Sequence, residues 1–165
     1  MPNLVFEVVP QLNTLVSCQN RGSPSDSEWD AWLALAKETM RTTPKPHRAL
    51  VMTEGGHPSR TQQGRLAAAM GGGRALTAVV SSAPTLRFVV SALTFTNRDI
   101  KCFAPSQMDA ALCHLGLATA DVPVVEAVTE RLRKQLTQAA GSVTSTAGSQ
   151  RDSLRREEPR SLRNR

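Results

Sequence analysis

The apolar positions of this chain change period several times, and each change marks an element. Leu4, Val5, Phe6, Val8 and Val9 form a short apolar run that Pro10 breaks, and Leu12 to Gln19 is a second run. Two such runs around a breaker read as an antiparallel hairpin. The period then lengthens. In Pro24-Ser25-Asp26-Ser27-Glu28 a serine stands three residues before a glutamate, the capping-box spacing in which each side chain satisfies the other's backbone N–H. The helix that follows puts Trp29, Trp32, Leu33, Ala36 and Met40 on one face and ends at Pro44 and Pro46.

Arg48 to Thr53 holds the unbroken run Ala49-Leu50-Val51-Met52, as in a strand covered on both faces. Glu54-Gly55-Gly56-His57-Pro58 turns the chain into a helix from about Ser59, with Gln62 at the capping-box position. Leu66, Ala69 and Met70 share one side of it, and Gly71-Gly72-Gly73 stops it. Ala75 to Val80 reads as another buried strand. Pro84 opens a helix with Leu86, Val89, Val90 and Leu93 as its stripe, and Asn97-Arg98-Asp99 is a loop. Ile100 to Phe103 is a short strand. Ala104-Pro105-Ser106 starts a short helix with Met108, Ala111, Leu112 and Leu115 inward and Gly116 as its cap. A last helix runs from near Asp121-Val122-Pro123 to Ala140, with Val125, Val128, Leu132 and Leu136 at helical spacing.

The order is β-β-α-β-α-β-α-β-α, an extra helix, and a tail. Alternating strands and helices imply parallel pairings with right-handed crossovers. The expected fold is therefore α/β, a mixed but mostly parallel sheet of about five strands with helices packed on it. Residues 1–120 are expected to form the α/β domain, 121–140 an additional amphipathic helix, and 141–165 a disordered basic tail rich in Ser, Thr, Gly and Arg. The other faces of the extra helix carry Glu126, Glu130, Arg131, Arg133 and Lys134, so its narrow apolar stripe is expected to dock on its own domain or on a second chain.

Composition adjusts this picture in three ways. The chain has 165 residues, a length for one domain, and 4% aromatic residues with no Tyr, so the core must be aliphatic. Its net charge is +6. Arg151, Arg155, Arg156, Arg160, Arg163 and Arg165 against Asp152, Glu157 and Glu158 place +3 of that in the tail, so the tail is the one route open to nucleic acid, and a solubilising tail is the preferred reading. Cys18, Cys102 and Cys113 are odd in number and lie in apolar stretches, which excludes a disulfide framework and a Cys-rich zinc site. No apolar stretch is long enough for a membrane span, and the first residues lack the charge and apolar run of a signal peptide. A reducing cytoplasm is the expected location.

From Leu4 to Leu117 the element order resembles the STAS-like (SEC14-like) fold of anti-sigma-factor antagonists, most of all the small stand-alone bacterial members. The matching pieces are Ala49-Leu50-Val51-Met52-Thr53-Glu54-Gly55-Gly56 through Leu66, Thr77-Ala78-Val79-Val80-Ser81-Ser82 through Leu93, Cys102-Phe103-Ala104-Pro105, and Ala110-Ala111 to Leu117. The resemblance implies a regulatory module that docks a protein partner. In the antagonists a phosphorylatable Ser or Thr stands at the start of the second helix. Here that position falls at Ser59, without the short Asp-Ser-Ser-Gly-like signature.

The candidate chemistry clusters in the same segment. The Gly55-Gly56 turn before a helix has the form of an anion cradle, although no Gly-Lys-Ser/Thr follows, and a tight strand-to-helix turn is the preferred explanation. His57 beside Ser59 lacks the third group of a triad and any G-x-S-x-G elbow. Cys113 and His114 project about 100° apart on a helix, so they cannot share one ion; Cys113 is expected near the core and His114 outside. Trp29 and Trp32 are residues of the kind that form partner-binding patches, but their spacing with Leu33 and Ala36 favours core packing. No titratable pair has motif-grade spacing, so a non-enzymatic module is expected, with no metal and no cofactor. Its docking surface is expected at 53–66, through Thr53, Glu54, Gly55, Gly56, His57, Ser59, Arg60 and Gln63, with Ser59 as phosphosite. The competing expectation is a small-molecule or anion-binding domain using the Gly55-Gly56 turn.

Overall fold

Strand formation follows the apolar runs. The computed structural model describes residues 2–43, 46–71, 74–84, 86, 90 and 99–141. Among them β1 (Leu4–Val9), β2 (Thr14–Gln19), β3 (His47–Thr53), β4 (Ala75–Ser81) and β5 (Ile100–Phe103) form one sheet in the order β1-β2-β3-β4-β5. β1 and β2 pair antiparallel, Leu4 opposite Gln19 and Val9 opposite Thr14; the other three pairings are parallel. The hairpin closes through a 3-10 turn at Pro10–Leu12 and Asn13, which takes the left-handed conformation at φ 48°. The expected α/β class and mixed sheet are thus present. Most of the helix expected over 84–93, the Gly72-Gly73 pair and the tail beyond Gly141 lie outside the described residues.

Four α-helices are described: α1 (Asp26–Thr42), α2 (Arg60–Met70), α3 (Met108–His114) and α4 (Val122–Gly141). Both expected capping boxes form, Ser25 with Glu28 and Ser59 with Gln62. α2 ends at Gly71, whose φ of 53° is one that a side chain resists.

The strands advance in one direction across the sheet, so right-handed crossovers place α1 and α2 on one face. Leu4, Trp29 and Leu33 form the core of that face, with Phe6, Trp32, Leu66 and Ala69 packed against them. The opposite face is larger. Val16 and Cys18 of β2, Leu50 and Met52 of β3, and Ala78 and Val80 of β4 meet Ala111, Leu112 and Leu115 near α3, and Val125, Val128 and Leu132 of α4. β-strand alternation sends Ser17 the other way, where its hydroxyl accepts from Trp32 Nε1 at 3.3 Å. A buried Leu or Val contributes roughly 1.5–3 kcal/mol, so the stripe of α4 is a main source of the fold's stability.

Two helical faces sharpen the expectations. α4 packs its stripe on β1 and β2 of its own domain, so the intramolecular alternative holds for that helix. Arg131 fastens its flank by a bidentate contact to Glu7 of β1, at 2.6 and 2.7 Å. On α3 the expected assignment is reversed: Cys113 is exposed and His114 half-buried. Ala111, Leu112 and Leu115 fix the buried direction, and at 100° per residue Cys113 points away from Leu115 and Ala111 while His114 falls on the flank of the stripe. There His114 Nε2 lies 3.1 Å from the Asp99 carbonyl and its ring 5.9 Å from that of Phe103.

Candidate functional site

The residues singled out in 53–66 fall on two different surfaces. β3 ends at Thr53, whose Oγ1 accepts from Gly55 N–H at 3.1 Å and donates to the Gly56 carbonyl at 2.8 Å. The Glu54 N–H donates to the Gln19 carbonyl at 3.1 Å and the Gly56 N–H to the Asn20 carbonyl at 3.0 Å. A Cβ on Gly56 would collide with the Asn20 and Gly22 carbonyl oxygens. That close backbone approach is the reason for glycine here. All three N–H groups of residues 54–56 are engaged within the chain, so the Gly55-Gly56 turn does not form an anion cradle. It is a tight strand-to-helix turn.

The next surface is the first turn of α2. The Ser59 hydroxyl accepts from the Gln62 N–H at 3.2 Å, and Gln62 Oε1 accepts from the Ser59 N–H at 2.9 Å. Gln62 then reaches across to α1: its Nε2 donates to the Pro24 carbonyl at 3.0 Å and to Asp26 Oδ1 at 3.1 Å. Arg65 adds ion pairs of 2.8 Å to both Asp26 and Asp30. These ties fix the start of α2 against the start of α1. Glu54, His57, Ser59, Arg60 and Gln63 are exposed, Gly55 is half-buried, and Thr53 and Gly56 are buried. His57 Nδ1 lies 3.2 Å from the Pro58 carbonyl. No hydrogen bond joins it to Ser59 among the described residues, where a nucleophile and base would need one.

A third feature escaped the periodicity argument. The parallel register sets Gln19 beside Thr53 and Thr53 beside Ser81. These last residues of β2, β3 and β4 are all buried, so a row of polar side chains crosses the carboxyl edge of the sheet. Ligands of open α/β sheets bind outside that edge. A cleft of about 360 Å³ opens there, between the strand ends and the last turns of α4, with Arg133 and Leu136 on its helical side. Cys18 lies at its floor. Burial pushes the Cys18 thiol up to about 11, partly offset by the nearby Arg133 charge. The thiol is neutral at pH 7, donates weakly to the Thr129 carbonyl at 3.8 Å, and is no nucleophile. Polar residues closing otherwise apolar strands were the one sequence signal of this row. Arg133 gave none, because its role depends on how α4 lies on the sheet.

Among the described residues no group of three or more His, Cys, Asp or Glu side chains could hold a metal ion. No described helix is long and apolar enough to cross a membrane. No family model, curated protein or solved structure matches the chain.

Proposed function

We propose that the chain is a non-enzymatic regulatory module of STAS-like type, working in the cytoplasm by docking a protein partner on the turn and helix at 53–66. The element order supports the family reading: an antiparallel hairpin, then parallel strands added one after another, with α1 between β2 and β3 and α2 between β3 and β4. One observation carries the functional reading. The start of α2 presents His57, Ser59, Arg60 and Gln63 to solvent while its backbone is held by the ties of Gln62 and Arg65 to α1. A rigid polar face of this kind loses little conformational entropy when a partner binds.

Ser59 is the natural switch on that face. Its side chain is exposed and stands at the helix N-terminus. A phosphate there is favoured by the helix dipole and adds negative charge beside Arg60, altering the charge a partner meets. The test uses a photo-crosslinking residue at Arg60 or Gln63 of the full chain, with Glu126 on the exposed side of α4 as control, in extracts of the source cells. A discrete adduct from 60 and 63 but not from 126, changed in yield by Ser59→Glu, is expected. Equal adducts from all three positions, or none from 60 and 63, would remove the docking face.

A further inference from the structure

The carboxyl-edge cleft meets the 53–66 segment only at Thr53 and Glu54, opens toward α4, and asks for a different occupant. We propose that it binds a small organic monocarboxylate, with Arg133 holding the carboxylate and Met52, Val80 and Leu136 covering the apolar body.

Three observations converge on that chemistry. The first is charge. Arg131 on the same helix is taken up by Glu7 and Lys134 by Glu130 at 3.4 Å, whereas Arg133 has no ion pair or side-chain hydrogen bond among the described residues. A guanidinium at the mouth of a cleft, with no side-chain partner among the described residues, is suited to a planar two-oxygen anion. The second is the apolar lining. By strand alternation Cys18, Met52 and Val80 face α4, the side on which Arg133 stands. Gln19, Thr53 and Ser81 share the parity of Ser17 and turn their side chains the other way, where Gln19 closes its loop onto Gly22, Thr53 closes the turn at Gly55-Gly56 and the Ser81 hydroxyl accepts from the Ala83 N–H at 3.1 Å. The third is size. A volume of about 360 Å³ stands at the low end of ligand pockets, which span roughly 300–1,000 Å³. It suits an acid of a few carbons and is small for a nucleotide.

The remaining charge at the rim selects among anions. Glu54 lines the same cleft, exposed. Its carboxylate disfavours a second anionic group on the ligand, so diacids and phosphate esters bind less well than monoacids. The neutral Cys18 thiol on the floor adds no opposing charge.

The experiment uses the full chain and hexanoate as probe, with hexylamine and hexan-1-ol as controls, followed by amide and side-chain NMR shifts. Saturable shifts with hexanoate, centred on Met52, Val80 and Leu136, are expected, and weaker or no binding of the two controls. Arg133→Gln should weaken hexanoate about tenfold or more, the weight of one charge-assisted contact. Arg133 is exposed, so the variant keeps the core. Lys134→Gln removes the same charge from the outer side of α4 and should leave affinity unchanged. Unsaturable shifts, shifts centred on Arg60 and Gln63, or equal losses in the Arg133 and Lys134 variants would each overturn the assignment. Partner crosslinking from Arg60 does not depend on Arg133, so the two readings fail separately.

Discussion

Trp29 of α1 donates its indole N–H to the backbone carbonyl of Gln62 in α2 at 3.0 Å, inside a buried seam. The same ring stacks on Trp32, with centroids 4.9 Å apart and planes 15° from parallel. One residue therefore joins two helices and anchors the smaller core. Trp29→Phe keeps the aromatic body but removes the second donor to the Gln62 carbonyl, which retains its helical bond within α2. It should lower stability by about 0.5–1.5 kcal/mol in urea unfolding. Amide exchange should rise first at residues 59–66, because that seam holds the proposed docking face in place.

Two glycines should respond in opposite ways. Gly64 lies inside α2 with open space where a Cβ would stand, so Gly64→Ala should stabilise the protein by roughly 0.5–1 kcal/mol. At Gly56 the added methyl would meet two carbonyl oxygens and, at 2.9 Å, the Gln19 amide. Gly56→Ala should destabilise and shift the resonances of the 19–22 loop. Equal melting shifts for the two variants would contradict the packing described for the turn.

Acid should act through Glu28. Burial alone would raise its pKa, but hydrogen bonds from the Ser25 N–H and hydroxyl and from the Asn3 and Leu4 N–H groups outweigh it, so the carboxyl titrates below its ordinary range. A carboxylate with a depressed folded pKa stabilises above its unfolded pKa of about 4.3, and that contribution disappears as pH falls through the lower folded value. Urea midpoints of wild type and Glu28→Gln should therefore differ at neutral pH and converge in acid. A gap that stays constant across that range would mean the Glu28 charge plays no part.

The fold was legible where one residue type has one physical use. The two capping boxes, the apolar runs of β3 and β4 and the stripe of α4 each allow only one element, and their order allows few topologies. The site was less legible because it depends on register. Nothing local to Gln19, Thr53 or Ser81 says that they stand side by side; that follows only after three strands align. At Gly55-Gly56 the sequence fits both an anion cradle and a tight turn, and only the amides closing onto Gln19, Asn20 and the Thr53 side chain separate the two. At α3 the reversal of Cys113 and His114 turned on a single 100° step, too fine for a seven-residue helix with few apolar positions.

Leu132 tests whether α4 belongs to the fold or to an interface. Its side chain is 1% exposed and packs in the same core as Val16, Cys18 and Leu50. Leu132→Ala should cost about 2–5 kcal/mol, through lost burial and the cavity left behind. Leu132→Asp should cost more, because an unpaired carboxylate would be forced into an apolar layer. Cys18 reports the event directly. It is buried beneath α4, with its thiol pushed up to about 11, so in the native protein it should resist alkylation at pH 8 while the exposed Cys113 reacts. In Leu132→Ala, Cys18 should gain reactivity before the rest of the chain unfolds if α4 lifts off as a unit, and together with global unfolding if the core is one cooperative body. In either case the mass in light scattering should not change. A Leu132→Asp chain that kept wild-type stability and a shielded Cys18 but halved its mass would show that the stripe joins two chains, and the packing of α4 on its own sheet would have to be abandoned.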